Sequence, residues 1–97
     1  MGTYGFSEDA NEDLEEICAY LEQRSTKAAS QLFDRIRQKC KLVASFPNMG
    51  KSYEEWIPGL RGFVIDDYII FYVVIGDAVQ ILRIVNGQRD LTQLFNL

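Results

Sequence analysis

The sequence contains no histidine. This absence excludes a Ser-His-Asp or Cys-His catalytic arrangement, and it removes the commonest side-chain ligand of zinc. Any chemistry would have to rest on Arg, Lys, Tyr, Asp or Glu. We therefore expect neither a metal site nor a cofactor.

Long apolar runs are also missing. The longest uninterrupted one is Tyr68–Ile75, far short of the about 20 residues that a membrane-spanning helix needs. The N-terminus has no basic start and reaches Ser7-Glu8-Asp9 before any apolar stretch, which is unlike a signal peptide. We expect a cytoplasmic protein without membrane contact, folded as one domain over residues 1–97.

The chain has only two cysteines, Cys18 and Cys40. In the helical hairpin predicted below they are offset by about nine residues, which is about 13 Å at the helical rise. A disulfide needs Cα atoms within about 7 Å. We therefore expect two free thiols with structural roles, as suits a reducing compartment.

Charge is unevenly distributed along the chain, although its net value is only −4. Residues 1–22 hold seven acidic side chains and no basic one, whereas residues 24–51 hold seven Lys or Arg and the single Asp34. A local basic stripe can suffice for a nucleic-acid partner. Broad phosphate-driven binding is nevertheless a poor first hypothesis for an acidic chain, and we do not expect direct nucleic-acid binding.

Two amphipathic helices are predicted in the first half of the chain. Ser7 is a candidate N-cap for the first, over about residues 8–23, and Ser25 or Thr26 for the second, which Pro47 ends. A short polar turn near residues 24–25 makes them an αα-hairpin. The predicted apolar positions are Ala10, Leu14, Ile17 and Leu21 in the first helix, and Ala29, Leu32, Ile36, Cys40 and Val43 in the second, with Phe33 and Phe46 widening that stripe.

The remainder of the chain has the pattern of β-strands. Tyr4-Gly5-Phe6 is a plausible edge strand, and residues 52–57 are a possible short one. The segments 60–65, 68–75 and 78–85 are separated by two-residue turns, so they must form consecutive antiparallel hairpins. We predict an α+β fold, with the helical hairpin packed on a three- to four-stranded antiparallel sheet and a short C-terminal helix near residues 89–95.

The middle strand is apolar on both sides, from Ile69 through Phe71 and Val73 to Ile75. Such a strand must be covered on both faces, and the helical hairpin covers only one. We expect the second face to need a partner. The alternative is that the C-terminal helix and loop residues close it.

Six segments in order resemble the ParE/RelE superfamily of toxins from type II toxin–antitoxin systems. The segments are Phe6-Ser7-Glu8-Asp9-Ala10 with Asp13-Leu14 and Ile17, Ala28-Ala29 with Ile36 and Leu42, Phe46-Pro47-Asn48-Met49-Gly50, Pro58-Gly59-Leu60-Arg61, Tyr68-Ile69-Ile70-Phe71-Tyr72, and residues 81–90. They cover nearly the whole chain. The resemblance implies a toxin held inactive by a cognate antitoxin, with a role in plasmid stabilisation.

The RelE-like branch implies a ribosome-dependent mRNA endoribonuclease. Its chemistry needs groups that activate the 2′-hydroxyl, stabilise the phosphorane and protonate the leaving oxygen. Arg61, Arg83 and Lys51 are the candidate catalytic residues of this alternative. The late acid is missing, because Asn86 stands where many relatives have His and no Tyr follows Tyr72. The nuclease machinery is incomplete, and we lean towards a toxin that is not an enzyme.

The ParE-like branch is matched by residues 58–61 and 86–90, and it implies inhibition of DNA gyrase. A degenerate, non-toxic binding module is the remaining alternative. We predict target contacts at Arg61, Arg83, Arg89 and Trp56, and antitoxin contacts at Ile69, Phe71, Val73, Arg35 and Lys39. Arg61 and Arg83 could instead pair with Asp66, Asp67 or Asp90, and Trp56 could belong to the core or its rim. The Glu-rich first helix could simply face solvent, and so could the basic stripe of the second helix, which consists of Arg35, Arg37, Lys39 and Lys41.

Overall fold

Two capped helices form one layer of the computed structural model, which describes residues 2–87. Helix α1 spans Glu8–Glu22 and helix α2 spans Thr26–Ser45. Ser7 Oγ accepts a hydrogen bond from Ala10 N at 3.0 Å, and Ser25 Oγ accepts one from Ala28 N at 3.2 Å. The predicted N-caps and the hairpin turn are therefore confirmed.

The second layer is a five-stranded mixed sheet. Its strands are β1 (Thr3–Phe6), β2 (Lys51–Ser52), β3 (Arg61–Ile65), β4 (Tyr68–Ile75) and β5 (Ala78–Asn86), in the spatial order β1-β5-β4-β3-β2. Strand β1 pairs with β5 in parallel, and the other pairs are antiparallel. The α+β prediction is confirmed, with a larger sheet that is not purely antiparallel.

The parallel pair β1–β5 joins the two ends of the described chain. Strand β1 precedes both helices, and the chain then runs through β2, β3 and β4 before β5 lies down beside β1. The hydroxyl of Ser7 donates to Leu82 O at 2.9 Å, and Ser7 N donates to Ile81 O at 2.9 Å. These bonds join the start of α1 to β5, so the edge position predicted for residues 4–6 is correct.

The main core lies between the helices and one face of the sheet. Its centre includes Ile36 and Cys40 of α2 together with Ile70, Tyr72 and Ile81 of the sheet, all at most 1% exposed. Cys18 and Cys40 are both free, as predicted. Burial raises the pKa of the Cys40 thiol to about 12.

Two predictions were wrong: the core positions of Phe33 and Phe46, and a strand over residues 52–57. Phe33 and Phe46 do not widen the apolar stripe of α2, because their side chains are 39% and 62% exposed. Helix α2 ends at Ser45, and Phe46 has a non-helical backbone with φ −132° and ψ 75°, which turns its side chain away from the core. Of residues 52–57, only Ser52 belongs to a strand. The predicted C-terminal helix lies outside the described residues.

None of the helices within residues 2–87 combines the length and apolar character that a bilayer-spanning segment needs.

Candidate functional site

Arg83 forms a two-pronged ion pair with Asp13 of α1. Its Nε lies 2.7 Å from Asp13 Oδ2 and its Nη2 lies 3.0 Å from Asp13 Oδ1. The same Oδ2 accepts a hydrogen bond from Ile84 N at 3.0 Å. Asp13 therefore binds the outer edge of β5 just beyond the point where β1 stops, and the pair attaches α1 to the sheet.

The ion pair is largely shielded from water, with side-chain exposures of 24% for Arg83 and 13% for Asp13. The hydrogen bond to Asp13 raises the pKa of Arg83, against the opposing effect of desolvation. The expected alternative partners of Arg83 were wrong, since the carboxylate comes from α1 and not from Asp66 or Asp67. In this fold the Arg83 guanidinium holds the carboxylate of Asp13.

Arg61 and Tyr72 hold the loop that follows α2, and we call this arrangement the loop anchor. Arg61 Nη1 donates to Asn48 O at 3.1 Å and to Gly50 O at 2.7 Å. The hydroxyl of Tyr72 donates to Pro47 O at 2.6 Å and accepts from Gly50 N at 3.1 Å. Arg61 therefore binds backbone carbonyls, and within residues 2–87 neither Asp66 nor Asp67, expected as alternative partners, forms an ion pair with it.

The Tyr72 hydroxyl acts as a stable donor in the loop anchor. Burial raises the pKa of Tyr72, and the hydrogen bond from Gly50 N–H and the charge of Arg61 only partly oppose this shift. Gly50 is needed for the close approach, because a Cβ at this position would lie 2.5 Å from Tyr72 Oη and 2.9 Å from Gly62 O.

The three cations of the nuclease alternative do not converge on one site. Arg61 on β3 binds the loop after α2, whereas Arg83 on β5 binds α1, and β4 lies between these strands. Lys51 is exposed on β2, with its Nζ 5.2 Å from the ring centroid of Tyr53. The described residues thus assemble no common pocket for a phosphate from these three side chains.

A second hydrophobic cluster covers part of the sheet face opposite the helices. The segment 53–60 folds over this face and is closed by a hydrogen bond from Tyr53 N to Leu60 O at 2.8 Å. The ring of Trp56 lies 5.1 Å from that of Tyr53 and 6.2 Å from that of Phe71, measured between centroids. Loop residues therefore contribute to closing this face, as the alternative expectation had it.

This cluster changes the part that Phe71 can play in binding. Phe71 is 0% exposed, so the expectation that its side chain contacts an antitoxin directly has to be corrected. Ile69 and Val73, on the same face, are half-buried around it. Trp56 is also half-buried, at the rim of the cluster. Arg89 lies outside the described residues.

Arg35 and Lys39 line a groove of about 390 Å³ between α2 and β3, which we call the α2–β3 groove. Its other lining residues are Gln38, Leu42, Val64, Ile65 and Asp66. Arg35 makes two hydrogen bonds with the Asp66 carboxylate, one of them at 3.1 Å. Asp66 sits in a left-handed turn with φ 53°, and this turn presents its carboxylate to α2.

The described residues contain no group of three or more Cys, Asp or Glu placed to hold a metal ion. The described surface instead presents a groove, a half-buried aromatic rim and exposed apolar side chains.

Comparison with known proteins identifies the lineage. The sequence model described as the ParE toxin of the type II toxin–antitoxin system, parDE, matches residues 4–91. The chain belongs to the ParE toxin family.

A curated relative supports this assignment, and a solved structure shares the fold. It is 31% identical to Toxin ParE3 of Caulobacter vibrioides over 85 residues, which is 88% of this chain and 82% of the relative. Its fold is similar to a solved structure described as the chromosomal ParDE TA system from P. aeruginosa, with a TM-score of 0.73 at 23% identity. The similarity covers 91% of this chain and 98% of the other.

The sequence reasoning missed three features of this ParE-family fold. Asp13 and Tyr72 were named within segments that resemble the family, but no contact was predicted for either. Leu42 was detectable, because two residues after Cys40 it falls about 200° around the helix from that core position. It is 44% exposed on the polar side of α2, where a leucine suggests an interaction surface.

Proposed function

We propose that this ParE-family toxin inhibits DNA gyrase in the cytoplasm by binding it, and that a cognate antitoxin protein holds it inactive until release. The observation that carries the proposal is the use of Arg61 and Arg83 inside the fold. A phosphate-cleaving toxin would need such cations to be available to its substrate. A toxin that acts by docking needs shaped surfaces instead.

The internal contacts also change how the predicted target residues would act. Arg61 and Arg83 would act indirectly, by holding the loop after α2 and the position of α1. Trp56 stays in the proposal as a rim aromatic, a residue type enriched among interface hot spots. Arg89 stays in it as a sequence-based candidate only.

The antitoxin would bind at two places in this proposal. One is the half-buried apolar pair Ile69 and Val73 on the sheet face opposite the helices, supported from beneath by Phe71. The other is the α2–β3 groove with Arg35 and Lys39. The similar P. aeruginosa structure is described as a ParDE TA system, which supports an antitoxin protein as the partner here.

Pulse labelling after induced expression in bacteria tests the target. Thymidine and methionine incorporation would be followed side by side in one culture, with a second culture co-expressing the adjacent antitoxin gene. We expect DNA synthesis to fall first, and the antitoxin to prevent the fall. Purified protein should then inhibit supercoiling by purified gyrase.

The outcomes separate the alternatives. If protein synthesis falls first, the chain acts as a ribosome-dependent nuclease and the gyrase proposal is wrong. If neither synthesis falls while the antitoxin still binds, the chain is a non-toxic binding module.

A further inference from the structure

Three large apolar side chains are exposed in succession at the end of α2. Leu42 is 44% exposed, Phe46 is 62% and Met49 is 43%. Phe46 N donates to Leu42 O at 3.0 Å, and Met49 N donates to Phe46 O at 3.0 Å. One helical turn separates Leu42 from Phe46 and one hydrogen-bonded turn separates Phe46 from Met49. We call these three exposed residues the α2 apolar stripe.

The backbone beneath the stripe is held rigidly. Pro47, Asn48 and Gly50 all make hydrogen bonds to the loop anchor of Tyr72 and Arg61. Tyr72 is itself 0% exposed, so the anchor is part of the core. These bonds fix the backbone on both sides of Met49 and directly after Phe46, and a preformed surface loses little conformational entropy on binding.

The surroundings of the stripe are positively charged, although the whole chain is acidic. No Asp or Glu occurs between Asp34 and Glu54, while five cations do: Arg35, Arg37, Lys39, Lys41 and Lys51. Asp66 and Asp34 offset the first two. Within residues 2–87, no carboxylate lies within ion-pair distance of the three lysines. The complementary ligand therefore carries acidic groups beside apolar ones.

The stripe is continuous with the α2–β3 groove. Leu42 belongs to both, and Lys39 lines the groove three residues before Leu42 on the same side of α2. One partner segment can therefore run along the solvent side of α2, filling the groove at one end and covering Phe46 and Met49 at the other.

We propose that the α2 apolar stripe docks an acidic, amphipathic segment of the antitoxin, with Tyr72 and Arg61 as positioning residues for that surface. This inference rests on the proposed function, in which an antitoxin binds the toxin. A symmetric contact between two copies of the stripe would bring lysines against lysines, which disfavours a second copy as the occupant.

The first experiment measures the affinity of purified toxin for the full-length antitoxin encoded beside it, by calorimetry. The test variant is F46A/M49A. The matched control is V74A/I75A on the β4–β5 hairpin, where the two side chains are 40% and 63% exposed. We expect the stripe variant to bind at least about tenfold more weakly, and the control to change Kd less than about twofold.

Two further sets of variants test the lysines beside the stripe and the positioning role of Tyr72. K41Q/K51Q should reduce the dependence of Kd on salt concentration. Tyr72→Phe keeps the core ring but removes both hydroxyl hydrogen bonds, and should weaken binding about threefold or more. The core variant Ile84→Val, of a residue 2% exposed, should lower the melting temperature without changing Kd. A purely structural role for Tyr72 would make these two variants bind alike.

Three results would overturn the inference. Binding of F46A/M49A within twofold of wild type would remove the stripe from the interface and leave the toxin–antitoxin proposal intact. Self-association of the wild-type toxin that F46A/M49A abolishes, with unchanged antitoxin affinity, would assign the stripe to a second copy. No binding of the antitoxin by wild-type toxin would overturn both proposals together.

Discussion

Three arginines that the sequence offers for recognition are used within the fold. Arg35 pairs with Asp66, Arg61 binds backbone carbonyls and Arg83 pairs with Asp13. A guanidinium has five N–H donors in a fixed planar array, so it can satisfy carbonyls of a loop or both oxygens of a carboxylate. Substituting Arg61 or Arg83 should therefore disturb the positions of other elements before it disturbs any direct contact.

The Arg83–Asp13 pair gives the clearest prediction for a single residue. Asp13→Asn keeps the size of the side chain but removes the charge from a site that binds one guanidinium and one backbone N–H. Arg83 would be left as a cation with only 24% of its side chain exposed. We expect the free energy of unfolding, measured by urea denaturation, to fall by about 2 kcal/mol.

Asp34→Asn is the matched control for this substitution. Asp34 lies 3.9 Å from Arg37, and both side chains are 60% exposed. Its ion pair is screened by water and should contribute less than about 0.5 kcal/mol. Equal losses in the two variants would contradict the structural role of the Arg83–Asp13 pair.

The segment between β2 and β3 works as an element of its own. It contains no regular strand beyond Ser52, yet it forms a lid on the second sheet face through Tyr53 and Trp56, which pack on Phe71. Leu60, at its end, is 0% exposed. The double-sided apolar character of β4 is thus explained by two covering layers, the helices on one face and this loop on the other.

Replacing the single tryptophan tests this second layer. Trp56→Ala removes the ring that contacts Tyr53 and Phe71. Full burial of a Trp or Phe is worth about 3–5 kcal/mol against Ala, and Trp56 is half-buried. We expect the free energy of unfolding to fall by about 2 kcal/mol. Hydrogen exchange at Tyr53 N and Leu60 N should become faster.

Phe33→Ala is the control for Trp56→Ala, because it also removes an aromatic ring. Phe33 is 39% exposed on α2, with the Arg37 guanidinium carbon 5.9 Å from its ring centroid. Its loss should cost less than about 1 kcal/mol and leave the exchange of the loop amides unchanged. If Trp56→Ala proves as mild as Phe33→Ala, the loop is not a second layer of the core.

At the scale of the whole molecule, opposite charges occupy different helices. The seven acidic side chains of residues 1–22 all lie on α1, and the basic ones of residues 24–51 lie mainly on α2. Although the net charge is −4, the surface along α2 is therefore mainly basic. Under the docking proposed above, this separation of charge would let an acidic toxin bind an acidic partner along α2.

Global stability should depend on alkaline pH through Cys40. Its pKa is raised by burial to about 12 from the ordinary thiol value of 9.0. The folded state thus keeps a proton that the unfolded chain releases, so stability is full below pH 9 and falls as pH rises towards 12. The slope of this contribution is at most about 1.4 kcal/mol per pH unit.

Comparing wild type with Cys40→Ala isolates the contribution of that thiol. Urea denaturation at pH 8 and pH 10 should show a larger loss for wild type than for the variant, since only wild type carries the buried thiol. Native Cys40 should also resist alkylation at pH 8 until the chain unfolds. Parallel losses in both proteins would show that other groups cause the alkaline decline.

Sequence alone determined the elements that local periodicity and capping encode. The apolar spacing from Ala10 and from Ala29 predicts both helices, and the serines before them predict their starts, because caps and helical periodicity act within one or two turns. The two-residue turns after Ile65 and Ile75 require the antiparallel hairpins of β3, β4 and β5. The same periodicity placed Arg35 and Lys39, the candidate antitoxin contacts, on the open flank of α2.

Tertiary structure alone decided which distant groups meet. Strand β1 joins β5 in parallel, 75 residues separate Ser7 from its acceptor Leu82, and 70 separate Asp13 from Arg83. No local pattern encodes such pairs, because they depend on how the layers pack. The exposure of Phe46 is decided in the same way: the period of α2 places it in the core, but the helix ends one residue earlier and the loop anchor holds its ring in solvent.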